Sequence, residues 1–218
     1  AAAFCGQSWY SQVSRERLEQ LNFAARQQGV TLFMQLQTAL AVLVARLAGG
    51  ADDGGCQDVA IGAAYANRAQ SGCEDIVGFF VNSLVMRHGL AADCTLAQLL
   101  KNCRDTVLDA YEHADVPFES IVGKINPRRR DNLNPLFQIM LNLQDKSSWN
   151  LQLPGLDVEP FQVSTQEAKF DLAVDCTQSA DGISIQWEFN SQLFNAATIQ
   201  RWAAYFDRIL DAICNYPD

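Results

Sequence analysis

The sequence predicts an α/β chain in which one mixed sheet is covered by several helices. Three observations carry that expectation. Leu96, Leu99, Leu100, Cys103, Val107, Leu108 and Tyr111 recur at steps of three and four, the period of a helix with one buried face. Phe170, Leu172, Val174 and Cys176 alternate with polar or small residues; so do Ile183, Ile185, Trp187 and Phe189 beyond the turn at Asp181-Gly182, making a hairpin with one apolar face. Val81 to Met86 reads as a strand that is apolar on both faces, with only Asn82 and Ser83 set into it. A buried amide needs an internal hydrogen-bond partner or a wet cavity beside it. For Asn82 both alternatives are open.

In chain order, Phe4 to Tyr10 mixes aromatic and small residues as a short first strand would. Ser14 caps a helix with Glu16 in its first turn and Leu18, Leu21, Ala24 and Ala25 on one face, and Gly29 stops it. Thr31 caps the next, where Phe33, Leu36, Leu40, Leu43 and Leu47, widened by Met34, Val42 and Val44, leave little polar surface; Gly49-Gly50 ends it. An acidic, glycine-rich loop covers 51–57, and Asp58 to Ala64 is a short buried strand. Gly78, ahead of Phe79 and Phe80, permits a bend or a close backbone approach. Thr95 caps the amphipathic helix already described. Pro117 suits a first helical position, Val116 before it is extended, and a short helix through Ile121 and Val122 ends near Gly123. Lys124 to Arg130 reads as a solvated basic loop. Asn134-Pro135 starts a strand with Phe137, Ile139, Leu141 and Leu143 on one face; Leu151 to Pro160 is a connector. Asn195 caps the last helix, with Ile199, Trp202, Phe206, Ile209, Leu210 and Ile213 toward the core.

The 218 residues can bury a sizeable core in a single domain, and a formal net charge of −9 argues against nucleic acid as a partner. No apolar run reaches the ~18 residues that span a bilayer, so no membrane partner is expected. Seven cysteines, odd in number and without a Cys-x-x-Cys pair, read as the reduced thiols of a cytoplasmic protein. Only two histidines are present. His88 at a strand end and His113 in a loop read as surface or anchoring residues, and neither has metal-ligand spacing. There is no nucleophile elbow, phosphate loop or dinucleotide fingerprint. Asp171 and Asp175 share a strand face, which reads as the solvated side of the hairpin.

Three stretches add a functional reading. IVGFFVNSLVMR (76–87), EHADVPFESIV (112–122) and NPLFQIMLNLQ (134–144) resemble, in order, late core motifs of condensation domains from nonribosomal peptide synthetases. DVAIGAAYANR (58–68), KFDLAV (169–174) and AATIQRWAAYF (196–206) extend the resemblance over almost the whole chain. The motif positions matched include Phe79, Arg87, His113, Asp115, Pro117, Phe118, Glu119, Pro135, Phe137 and Gln138. The chain departs from the pattern at Ala114, where the family usually has glutamine, and at Arg129 to Asn132.

The resemblance implies a chloramphenicol-acetyltransferase-like lobe, one of two that flank a tunnel. The family's His-His-x-x-x-Asp-Gly motif is absent from this sequence, so the chain is expected to be the C-terminal lobe alone, inactive by itself. It implies a tunnel wall that includes Asn82, Ser83 and Gly78, and no catalytic or metal residue. No cofactor is bound directly; substrates ride on the phosphopantetheine of carrier domains. The implied partners are the N-terminal lobe, peptidyl carrier domains and an adjacent adenylation domain. In complete form the reaction is amide-bond formation between carrier-bound thioesters. A non-catalytic carrier-docking domain and an acyltransferase with a soluble acceptor are the alternatives.

Overall fold

The computed structural model describes residues 5–49, 57–68, 72–73, 76–91, 93–128, 133–146, 153–158 and 166–215. The elements run β1 (Gly6–Ser14), α1 (Arg15–Gln28), α2 (Leu32–Leu47), β2 (Gln57–Tyr65), β3 (Asn82–Leu90), α3 (Leu96–Glu112), α4 (Phe118–Ile125), β4 (Ile139–Asp145), β5 (Leu172–Ser179), β6 (Gly182–Asn190) and α5 (Ala196–Asn215). The strands form one mixed sheet in the order β1-β6-β5-β4-β2-β3. β2–β4 and β4–β5 pair in parallel and the other three pairs are antiparallel.

Local signals start and stop the helices. Ser14, Thr31, Thr95 and Asn195 each accept a hydrogen bond from a first-turn N–H, and Gly29 ends α1 in the left-handed region at φ 63°. α2 is buried nearly all round, as its composition required. At the start of β6, Gly182 stands at φ 128°, and a Cβ there would lie 2.1 Å from the Val13 carbonyl oxygen.

Strand alternation sorts the side chains into two faces. Ile61, Met86, Leu141, Val174, Ile185, Trp187 and Phe189 enter the main core, which α1, α2, α3 and α5 close. Trp187 meets Phe206 of α5 edge-on at 5.4 Å and donates its indole N–H to Ser11 Oγ at 3.0 Å. The opposite face carries a smaller cluster of Phe137, Met140 and Ala173 with Ala60, Val85 and Phe118. On that face Asp175, in an inner strand, accepts from Asn142 Nδ2 at 2.8 Å. Asp171, expected on the same strand face, instead precedes β5.

Several expectations change. His88 lies inside β3 on the core face, 5% exposed, because the strand runs on to Leu90; its Nε2 faces Gln37 Oε1 at 3.3 Å. Burial brings its pKa down to about 4. Gly123 lies within α4, whose end is instead the left-handed Asn126, and Pro117 is the N-cap rather than the first helical residue. β1 begins at Gly6 and continues to Ser14. Phe137 precedes β4 and packs on the face opposite to Leu141, because Asn134 folds residues 134–137 into a turn, its Oδ1 accepting from the Leu136 and Phe137 N–H groups. Of the loop expected at 51–57, Gln57 instead opens β2 and 51–56 lie outside the described residues, as do Arg129 and Arg130.

Candidate functional site

The motif stretches, distant in sequence, meet where β3 begins. Asn82, half-buried, is the joint. Its Nδ2 donates to the carbonyls of Ala114 at 2.9 Å and Val116 at 2.7 Å. Its Oδ1 accepts from the N–H of Ser83 at 2.9 Å and of Phe118 at 3.1 Å. With two carbonyls at one end and two N–H groups at the other, only one orientation of the amide satisfies all four. The sequence left two alternatives for this side chain, and the structure shows its polar atoms engaged with backbone.

The next link is aromatic. Phe118 opens α4 and meets Phe137 edge-on at 5.7 Å, and Phe137 stacks on Phe170 at 5.5 Å. Phe137 is 1% exposed and lies directly over Gly62 of β2, where a Cβ would fall 2.1 Å from its ring. Gln138 ties the same region to the next motif: its Nε2 donates to Asn134 O at 2.9 Å, and its carbonyl accepts from the Asp171 N–H at 3.0 Å. Glycine at 62 and aromatics at 118, 137 and 170 are thus one packed unit.

Arg68 organises the approach to β3. Its guanidinium donates to the carbonyls of Cys73 at 2.5 Å, Ile76 at 2.9 Å and Gly78 at 3.3 Å, and lies 4.3 Å from the centre of the Phe80 ring. Gly78 does not take the left-handed conformation; a Cβ there would come to 3.2 Å of the Phe80 ring. So held, the segment presents Val77 and Phe79 almost completely to solvent, at 101% and 93% exposure, and Ile76, Val81 and Val116 are exposed as well. Five large apolar side chains are thus exposed around the entry to β3.

The remaining motif positions take lesser places. Arg87 pairs with Asp58 across β2 and β3 at 2.6 Å, and its hydrogen bond holds the Asp58 carboxyl below the usual range. His113 is the exposed C-cap of α3, Asp115 and Pro135 are exposed, and Glu119 lies in the first turn of α4, where a negative charge suits the helix dipole. Ser83 is half-buried. Sequence reasoning singled out neither Arg68 nor Gly62. Arg68 carried no local signal, since its partners are backbone carbonyls five to ten residues on. Among the described residues no group of three or more His, Cys, Asp or Glu could hold a metal ion. No single described helix is long and apolar enough to cross a membrane.

A mixed sheet with α1, α2, α3 and α5 on one face and α4 on the other, and a motif-built ledge where its edge strand begins, is a fold also found in peptide-synthetase structures. The holo form of the four-domain nonribosomal peptide synthetase AB3403 superposes with a TM-score of 0.86 at 21% identity, covering 98% of this chain and 17% of that one. The X-domain from teicoplanin biosynthesis gives 0.84 at 25%, with 97% and 48% covered. The family model described as "Condensation domain" matches residues 5–218, and the chain belongs to that family. A Salinispora arenicola protein named "Probable non-canonical nonribosomal peptide synthetase (NRPS) CymA" is 40% identical over 194 residues, and tyrocidine synthase 2 of Brevibacillus parabrevis is 34% identical over 211. These matches take in 86% and 97% of this chain, but only 2% and 6% of those proteins.

Proposed function

We propose that this chain is the C-terminal lobe of a condensation domain. It supplies one wall of the tunnel in which a carrier-bound amine attacks a carrier-bound thioester to form an amide. One observation carries the reading. The fold covers 97–100% of this chain yet only 46–48% of the X-domain and of the first condensation domain of the CDA synthetase, so each of those chains is about twice this length. Two features support it. The apolar ledge of Val77, Phe79 and Val81 is a surface for the other lobe, and the sequence lacks His-His-x-x-x-Asp-Gly, which that lobe would contribute. Asn82, Ser83 and Gly78 belong to the tunnel side of the ledge. Phosphopantetheine arrives on peptidyl carrier domains, with an adenylation domain next in line.

The test mixes this chain with a separately produced N-terminal lobe and two loaded carrier proteins. Amide product is expected only when both lobes are present. Binding of carriers without product, from lobes that do associate, would favour a non-catalytic docking domain. Product with a free amine but none with a carrier-bound one would favour an acyltransferase with a soluble acceptor.

A further inference from the structure

We infer that Asn82 is a positioning residue, which caps α4 from a different element and so fixes the exposed valines Val81 and Val116 relative to each other. The inference rests on the tunnel reading above and adds a role that does not require Asn82 to touch substrate. The α3–α4 turn depends on this one side chain in two ways. Ala114 is 3% exposed, so its carbonyl is largely shut off from water, and the Asn82 amide supplies a donor to it. The N-terminus of α4 has the same need. Pro117 occupies its N-cap and provides no side-chain hydrogen bond, and the Phe118 N–H is answered by Asn82 Oδ1 from 36 residues earlier.

The rest of the hold on α4 is light. None of its residues is fully buried, and among the described residues Phe118 against Phe137 is its one aromatic contact. Releasing the amide therefore frees a local unit, the turn and α4, and leaves the main core in place. Val81 is bonded to Asn82 in the chain, and Val116 offers Asn82 its carbonyl at 2.7 Å. The same amide thus sets the separation of these two exposed valines.

Hydrogen exchange on this 218-residue chain tests the clasp directly. In Asn82→Ala the Phe118 amide is expected to lose at least ~10-fold in protection, while Leu84 and Met86 in β3 keep theirs. Asn82→Asp adds a second readout. Its carboxylate keeps the acceptor but turns the donor pair into charge facing two carbonyls, so the turn opens at neutral pH. The neutral acid can donate to one carbonyl, so protection of the turn returns on acidification in Asn82→Asp and not in Asn82→Ala.

In the complete two-lobe domain both variants should lose at least ~10-fold in turnover, because misplacement by about an ångström has that scale of effect. Unchanged protection of Phe118 in Asn82→Ala overturns the inference. So does an opened turn with turnover within about twofold of wild type. Lost turnover in Asn82→Asp with the turn still protected would mean direct contact with substrate, and overturns it too. An inactive wild-type domain would sink the condensation reading, whereas the exchange results judge the clasp without it.

Discussion

Gly62→Ala introduces one methyl group at the tightest contact of the small cluster. The new Cβ would fall 2.1, 2.4 and 2.5 Å from three ring atoms of Phe137, against an ordinary contact of 3.4 Å or more. The ring must therefore retreat by about 1.3 Å, yet it stacks on Phe170 and abuts Phe118. Its easiest escape is to push Phe118 and α4 outward. Overpacking of this kind costs about 1–3 kcal/mol, and with both neighbours in place the upper half of that range is expected. Phe137→Ala alone should cost about 3–5 kcal/mol, since the ring is fully buried. In the double variant there is no ring to strike, and the new methyl fills part of the hole. The pair should then fall short of the summed costs by at least ~1 kcal/mol. Urea unfolding followed by tryptophan fluorescence measures all three, with Trp187 fully buried as reporter. A Gly62→Ala midpoint equivalent to less than about 0.5 kcal/mol of destabilisation, or strict additivity, would refute the close approach as the reason for glycine.

Two further outcomes follow from the geometry. Between a folded pKa of about 4 and an ordinary value of 6.5, the folded state binds fewer protons at His88 than the unfolded chain does. Stability should therefore decline as pH drops through that window, by on the order of 3 kcal/mol in all. Acid titration of unfolding free energy should show a shallower limb in His88→Leu; an identical slope would place the titration elsewhere. Arg68→Lys leaves the charge but cannot fork to three carbonyls while lying over Phe80, so the 73–80 segment should loosen. Chymotrypsin should cut after Phe79 several times faster than in wild type, and an unchanged rate would argue against the clasp.

What was legible in the sequence was local. Ser14, Thr31, Thr95 and Asn195 were readable as caps because a cap and its N–H partner lie within one turn, and the β5–β6 hairpin because its turn joins two alternating runs. The errors came from interactions that interrupt a period. The Asn134 turn offsets Phe137 from the alternation of β4, so a ring expected beside Leu141 lies on the other face. His88 reads from the sequence as a strand end, but β3 runs on to Leu90 and its alternation turns Arg87 to solvent and His88 to the core. Gly123 looked like a stop, but Asn126 is the residue that takes the left-handed turn. The motif stretches marked the right segments of the site. Their convergence was not legible, because it depends on hydrogen bonds between Asn82 and residues 32 to 36 positions away.

The pairing of β1 with β6 has a consequence for synthesis. Of the six strands of this sheet β1 is made first, but its partner spans Gly182–Asn190, so Gly6 waits for Asn190 before that edge of the sheet can close. Until then α2, apolar on most sides, has the β2–β3 pair to cover it but lacks α5, which follows β6 in the chain. Non-local closure of this kind slows folding and prolongs exposure of apolar surface. A nascent chain paused before residue 182 should therefore be a chaperone client, and silent codon changes that alter pausing there should change soluble yield with no change in the protein's sequence.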